Sequence, residues 1–467
     1  MPAPAPDKSS RTILPWIAAI AFFMQALDST ILNTALPSIA ADLGYSPLSM
    51  QSVVVSYTIT LALFIPLSGW LSDRFGTSNV FRVAVALFVL GSLACALSRD
   101  LSQLILSRIL QGLGGSMMVP VARLAILYSY PKKLLMRVMN FVVIPGLVGP
   151  LIGPTLGGWL VELASWHWIF LINIPIGIFG IWMATSGMPN IKKPVGGFDT
   201  LGFILFSGAL SLLTFCLESG SSGALGAGYI ALFFAIALLL ILLYIYHARG
   251  DGNPLINLNL FKIRTLRVAL AGNLATRLGI GGFPLLLPLM LQVGFGYPAS
   301  TAGMILIPMA AANLLTKPIV VPVIKRFGHK NTLIANTLVL AVIMALFALI
   351  SAQTPLVWMV LLLLVYGTIS SLQFTSMNTI AMADLDESNS SAANSVIAVN
   401  QQLSFSFGVS FTGFLLLNLS KLEPAGSGTV NTFKYTFLIL AGITALSALV
   451  FAKLKPADGA KLSGHRG

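Results

Sequence analysis

Asp28 and Arg108 are the residues of this chain most suited to chemistry, because each is a charge set inside a long apolar run. An Asp, Lys or Arg at the centre of a membrane-spanning helix costs about 2.5–3.5 kcal/mol, so such residues are functional candidates by default. Asp28 is the one acid deep in such a run. At 1.5 Å per residue it lies ~12 Å from the outer end of its helix, and Arg108 lies ~10 Å from the outer end of its own. The two depths agree, so a direct or water-linked pair is geometrically open to them. A neighbouring guanidinium favours the ionised carboxylate, whereas desolvation favours the neutral acid. A movement that separates the pair could therefore capture or release a proton. A static ion pair that orients two helices is the structural alternative.

Gly146, Gly149, Pro150, Gly153, Pro154, Gly157 and Gly158 form a second constellation. Gly149, Gly153 and Gly157 recur every four residues and make one flat helix face, against which another helix can approach closely. Pro150 and Pro154 remove backbone donors and bend the helix. A tight packing seam and a bending element are the two readings open to these residues, and they are compatible. A third feature is the loop Gly69-Trp70-Leu71-Ser72-Asp73-Arg74-Phe75-Gly76. Arg74 suits a cytoplasmic membrane edge. Asp73 could hold a gate shut there by pairing with a basic residue or a helix N-terminus. Arg277, near mid-depth of its run, is expected to face a central cavity. Gln25, Asn33, Asn273 and Gln292 are further candidates to line it, with interhelical hydrogen bonding as their alternative. Lys317 and Arg123 can snorkel to the interface.

Other chemistries find no support in the sequence. Cys95 and Cys216 lie in apolar runs and read as buried thiols, and no Cys/His cluster suggests a metal. There is no G-x-x-x-x-G-K-[ST] phosphate loop, so ATP is not the expected energy source. No nucleophile, base and metal set converges, so no enzyme and no cofactor is expected.

These residues must be positioned by membrane helices. Of 467 residues, 56% are hydrophobic and 9% charged, against roughly 25% charged in soluble proteins. The apolar runs are continuous rather than alternating, which indicates helices and excludes a barrel. Spans are expected near 14–36, 52–72, 80–97, 101–125, 138–163, 167–187, 200–217, 228–247, 267–291, 301–323, 331–350, 355–383, 394–419 and 434–453, fourteen in all. With the N-terminus in the cytoplasm, 20 of the 27 Lys and Arg residues fall in cytoplasmic segments, 3 outside and 4 within spans. That asymmetry puts both termini inside and requires an even number of spans. It also accounts for the net charge of +13 without nucleic acid as a partner. Asp73-Arg74-Phe75-Gly76 recurs as Lys325-Arg326-Phe327-Gly328, and Gln111-Gly112 through Ser116 as Tyr366-Gly367 through Ser371. Two six-helix halves with two extra spans between them would produce these repeats. The resulting layout is a tail at 1–13, a bundle at 14–190, a linker with two spans at 191–266, a bundle at 267–453 and a tail at 454–467.

The ordered motifs resemble the major facilitator superfamily, and within it the fourteen-span drug:proton antiporter branch of EmrB/QacA type, closest to its HsrA/MdtD-like group in Gram-negative bacteria. Leu27-Asp28-Ser29-Thr30-Ile31-Leu32-Asn33-Thr34-Ala35-Leu36-Pro37 is similar to the branch's first-span motif. Gly69 to Gly76 is similar to the loop motif, Arg108 to Gly115 to the fourth-span motif linked to proton transfer, and Gly146 to Gly158 to the antiporter motif. Trp166 to Pro175 also fits. Two positions depart: Thr77-Ser78-Asn79 stand where basic residues usually follow the loop motif, and Ser52 where many members carry Trp. The resemblance implies an all-α fold of two six-helix bundles plus two linker helices. It also implies a proton-driven inner-membrane antiporter for small amphipathic molecules in which Asp28 titrates and Arg108 governs when it does so. For some members it implies an accessory membrane-fusion protein. One acid against several cations in the deep spans favours neutral or anionic substrates. A dedicated exporter of a metabolite or siderophore is the rival within transport, and a non-transporting sensor the rival from another class.

Overall fold

The computed structural model describes residues 8–194, 196–222, 226–250, 254–385, 387–422 and 430–459, and among them the chain is helical without a strand. Lipid cannot satisfy backbone N–H and C=O groups, so long apolar runs fold as helices. Among the described residues twelve helical segments, some of them joining consecutive helices, are long and apolar enough to cross a membrane. In chain order the helices are α1 (Lys8–Leu43), α2 (Gln51–Phe75), α3 (Thr77–Ala96), α4 (Leu101–Ser129), α5 (Lys132–Leu163), α6 (Trp168–Leu171), α7 (Asn173–Gly187), α8 (Thr200–Ser222) and α9 (Ala227–Gly250). They continue with α10 (Arg264–Ile280), α11 (Phe283–Leu289), α12 (Ala299–Ile305), α13 (Ile307–Leu315), α14 (Lys317–Phe347), α15 (Leu356–Ala381), α16 (Glu387–Leu422) and α17 (Val430–Phe451).

The helices differ from the expected spans in instructive ways. α1 runs on to Leu43 with Pro37 inside it, because one missing N–H bends a helix without having to end it. The expected ninth span is broken: α10 stops at Ile280, Gly281 and Gly282 intervene, and α11 leads into a π-helical turn at Met290–Gly294. The expected tenth span is divided among α12, α13 and the start of α14. Within α14, Gly328 takes φ 74° and ψ 163°, which glycine adopts without a Cβ penalty. Gly76, between α2 and α3, takes φ 97° and ψ 142°. The repeated Asp73–Gly76 and Lys325–Gly328 segments thus end in the same backbone turn.

The chain forms two compact units. The first comprises Met1–Phe198 with Pro298–Met304. Its core gathers Leu14, Ile17, Met24, Tyr57, Phe81, Phe88 and Met118. There α1 packs along α5, and α4 packs on both α2 and α3. The second comprises Asp199–Tyr297 with Ile305–Gly467. In it α10 packs on α15, α16 and α17, the two helices expected as a linker pair, α8 and α9, pack on each other, and α8 packs on α16. Phe283 stacks on Tyr366 at 3.9 Å and meets Phe347 edge-on at 5.1 Å. Outward-facing surfaces are apolar: α7 exposes Ile178, Phe179 and Trp182, and α9 exposes Leu239, Leu242 and Tyr246. Such surfaces belong in lipid rather than water.

Candidate functional site

The first unit brings Asp28 and Arg108 into direct contact. Arg108 Nη1 donates to Asp28 Oδ2 at 2.8 Å, and both side chains are 1% exposed. Gln111 lies one turn beyond Arg108, hence on the same face of α4. Its Nε2 donates to Asp28 Oδ1 at 2.7 Å, while its Oε1 accepts from Arg108 Nη1 at 2.6 Å. Asn173, the first residue of α7, donates Nδ2 to Asp28 Oδ1 at 3.3 Å. Ser92 Oγ on α3 accepts from both Gln111 (2.8 Å) and Asn173 (3.4 Å). On its other side Arg108 donates Nε to the Val53 carbonyl at 3.2 Å and lies 4.1 Å from the centre of the Tyr57 ring. The network spans five helices and is sealed from solvent. Desolvating two charges is offset only by such complete hydrogen bonding, and deleting one partner of a buried pair typically costs about 3–5 kcal/mol.

Glycines set the spacing. A Cβ on Gly91 of α3 would lie 2.5 Å from the Cα of Gln111, so only glycine lets α4 present Gln111 there. The expected flat face of α5 lies against α1, the helix that carries Asp28. A Cβ would meet Phe22 at 3.3 Å from Gly146, the Leu27 N atom at 2.7 Å from Gly149, Thr30 Cβ at 3.2 Å from Gly153, and Thr34 Oγ1 at 2.7 Å from Gly157. Two hydroxyls of α1 cross this seam: Thr30 donates to the Gly149 carbonyl at 3.4 Å and Thr34 to the Pro154 carbonyl at 3.0 Å. Pro150 and Pro154 both lie inside α5. Gly158 faces away from α1, towards α12, where its Cβ would lie 2.7 Å from Ser300 Cα. Glu162 Oε1 accepts the Ser300 N–H at 2.8 Å in the same contact.

The loop at Gly69–Gly76 is held differently from expectation. Asp73 Oδ1 accepts from the Tyr128 hydroxyl at 3.0 Å rather than from a basic residue. Lys193 is one step removed, its Nζ 3.4 Å from the Tyr128 ring centre. Arg74 lies 4.9 Å from the Trp70 ring centre, and Gly69 borders open space. The departing residues have a structural task. Thr77 Oγ1 donates to the Pro189 carbonyl at 2.6 Å and accepts the Ile191 N–H at 3.1 Å, and Thr77 N–H reaches the Ile191 carbonyl at 3.1 Å. Asn79 N–H donates to Asn190 Oδ1 at 3.3 Å and Lys193 N–H to the Asp73 carbonyl at 2.9 Å. A Cβ on Gly76 would fall 2.6 Å from Asn190 Cγ. The segment leaving α7 is thereby strapped across the loop.

The cavity candidates divide between the units. Gln25 is half-buried and Asn33 buried on α1, and neither joins the hydrogen bonds of Asp28. In the second unit Asn273 Nδ2 donates to Asn400 Oδ1 at 2.8 Å and Ser404 Oγ at 3.2 Å. Arg277 Nε donates to Asn273 Oδ1 at 3.1 Å, and its guanidinium lies 4.3 Å from the Phe374 ring centre. Gln292 is half-buried in the π-helical turn. Among the described residues no group of three His, Cys, Asp or Glu is placed to hold a metal. Sequence reasoning missed Gln111, Asn173, Ser92 and Tyr57 as parts of the Asp28 network. The position of Gln111 one turn from Arg108 was the available signal.

Residues 18–409 match the sequence pattern of the Major Facilitator Superfamily. A protein of Pectobacterium atrosepticum named for multidrug resistance, MdtD, is 46% identical over 446 residues, covering 94% of this chain and 95% of its own. A protein of the same name from Klebsiella pneumoniae is 44% identical over 441 residues, covering 94% of each chain. Among solved structures, a D-xylose-proton symporter superposes with a TM-score of 0.68 at 15% identity, over 97% of this chain and 99% of its own. An auto-inhibited peptide transporter of the POT family gives 0.68 at 16% identity, over 97% and 98%.

Proposed function

This chain belongs to the major facilitator superfamily, and on that premise we propose that it is a proton-coupled antiporter exporting small amphipathic compounds by alternating access. Membership makes it a multi-pass membrane transporter and not an enzyme. The multidrug resistance names of its relatives support export of drug-like molecules. The lysine and arginine asymmetry supports an inner-membrane location with both termini in the cytoplasm. Energy comes from the proton gradient, with no bound cofactor. The partners are the bilayer, protons, the substrate and, for passage across an outer membrane, an accessory membrane-fusion protein.

One observation carries the proton coupling: every donor to Asp28 also has a second acceptor. Arg108 keeps Gln111 Oε1 and the Val53 carbonyl, and Gln111 and Asn173 both keep Ser92 Oγ. Stranding a buried donor costs about 1–3 kcal/mol. Asp28 can therefore take a proton and lose its charge without leaving a donor unsatisfied. In this mechanism Arg108 holds Asp28 ionised while the pair is closed. When the helices part, Asp28 accepts a proton. The Gly/Pro face of α5 lets α1 slide or tilt as this happens. Substrate alternately meets the two sides of the membrane, with Gln25 and Asn33 of the first unit and Asn273, Arg277 and Gln292 of the second as the residues proposed to meet it.

Proteoliposomes with an imposed pH gradient test the coupling. Accumulation of a cationic or neutral dye, or of an organic acid, should follow the proton gradient and collapse when a protonophore is added. Accumulation indifferent to the gradient would exclude antiport.

A further inference from the structure

Arg277 is a cation prepared for an anion that the described residues of the second unit do not supply. It stands 13 residues into a span that runs from Arg264 to Gly294, ~20 Å along the helix, too far for a side chain to snorkel back to the interface. Among the described residues no carboxylate lies within ion-pair distance of it, and its two Nη atoms meet no protein acceptor. A guanidinium left unpaired at this depth is costly unless something completes it.

The guanidinium is also held in one orientation. Asn273 Oδ1 takes the Nε–H, and Asn273 is itself fixed by Asn400 and Ser404 of α16. Phe374 packs 4.3 Å from the guanidinium carbon. Gly408 allows α16 to come this close, since a Cβ there would overlap the Arg277 carbonyl. With the Nε edge occupied, the edge formed by the two Nη atoms stays open. That edge matches the two oxygens of a carboxylate. Asn273 also borders a water-sized cleft lined by Asn378, Asn400, Gln401, Met377 and Ile397.

We propose that Arg277, oriented by Asn273 and Phe374, is the head-group site for an anionic amphipath and binds its carboxylate through both terminal guanidinium nitrogens. This site rests on the transporter reading above, but it is independent of proton coupling.

Equilibrium binding separates the two. Full-length protein in nanodiscs is titrated with 11-(dansylamino)undecanoate and with its neutral methyl ester, empty nanodiscs serving as the blank. Wild type should bind the acid more tightly than the ester by roughly 10- to 100-fold, the range expected for charge-assisted hydrogen bonds. Arg277→Gln should reduce acid binding to the ester's level and leave the ester unchanged, and Arg277→Lys, charged but unforked, should fall between. Equal binding of acid and ester by wild type, undiminished acid binding by a folded Arg277→Gln, or no binding of the acid by folded wild type would each overturn the proposal. Asp28→Asn should keep the preference for the acid. Loss of proton flux with the preference intact leaves both readings standing, and proton flux intact in Asp28→Asn removes only the coupling.

Discussion

Gly149→Ala should break the transporter where Gly146→Ala should not, although both add one methyl to the same face of α5. At Gly149 the new Cβ would lie 2.7 Å from the Leu27 N atom and 2.9 Å from the Ala26 carbonyl carbon, so it strikes backbone. Ordinary contact begins near 3.4 Å, so α1 and α5 must part by ~0.7 Å in an interior packed too densely to absorb it. At Gly146 the nearest atom is Cδ1 of Phe22, at 3.3 Å, and a slight ring rotation makes room. Overpacking of the first kind costs about 1–3 kcal/mol. For a unit of this size that lowers the unfolding midpoint by roughly 2–12 °C. Leu27 adjoins Asp28, so the same shift acts on the buried network. The Asn173–Asp28 hydrogen bond, already 3.3 Å long, would pass beyond bonding distance. Thermal unfolding of purified protein and substrate-driven flux in proteoliposomes read the two effects. A Gly149→Ala protein with the midpoint and flux of wild type, or a Gly146→Ala protein as damaged as Gly149→Ala, would refute the reasoning.

Three further outcomes are expected. Gln111→Leu removes a donor from Asp28 and an acceptor from Arg108, so flux should fall by about 10- to 100-fold in a protein that still folds; flux within twofold of wild type would contradict its place in the network. Thr77→Val keeps the shape of the side chain but removes the hydroxyl bonds to Pro189 and Ile191, so trypsin should cut after Lys192 faster than in wild type, and an unchanged rate would show that the strap does not depend on them. Burial raises the affinity of the Asp199 carboxyl for a proton, but bonds from the Leu255 N–H, His247 and the Gly202 N–H outweigh it and hold the group below its ordinary value of 3.8. The stabilisation from Asp199 is thus complete above that value and lost as pH falls through the lowered one. The stability gap between wild type and Asp199→Asn should accordingly shrink on acidification below pH 3.8, and a gap independent of pH would contradict this.

The sequence made some parts of this architecture plain for physical reasons. A helix converts residue number into depth at a fixed rise, so Asp28 and Arg108 could be matched across 80 residues before any contact was seen. The four-residue spacing of Gly149, Gly153 and Gly157 fixes a helix face whatever its partner, though only the structure identifies that partner as α1. Asn173 was hidden because the helix is interrupted between α6 and α7, and depth cannot be counted through a break. Thr77 and Asn79 looked like the absence of basic residues. Their role depends on Pro189–Lys193 returning across the loop, a long-range contact with no local periodicity. The breaks at Gly281 and Leu306 were obscured for the opposite reason: the apolar run continues through them, and hydropathy does not register a bend.

The most direct test of the central claim is substrate-induced proton movement in proteoliposomes, wild type against Asp28→Asn, with a panel of dyes, drugs and organic acids. Proton movement that requires both a substrate and Asp28 is the predicted result. Proton movement unchanged in Asp28→Asn would contradict the assignment of Asp28 as the coupling residue.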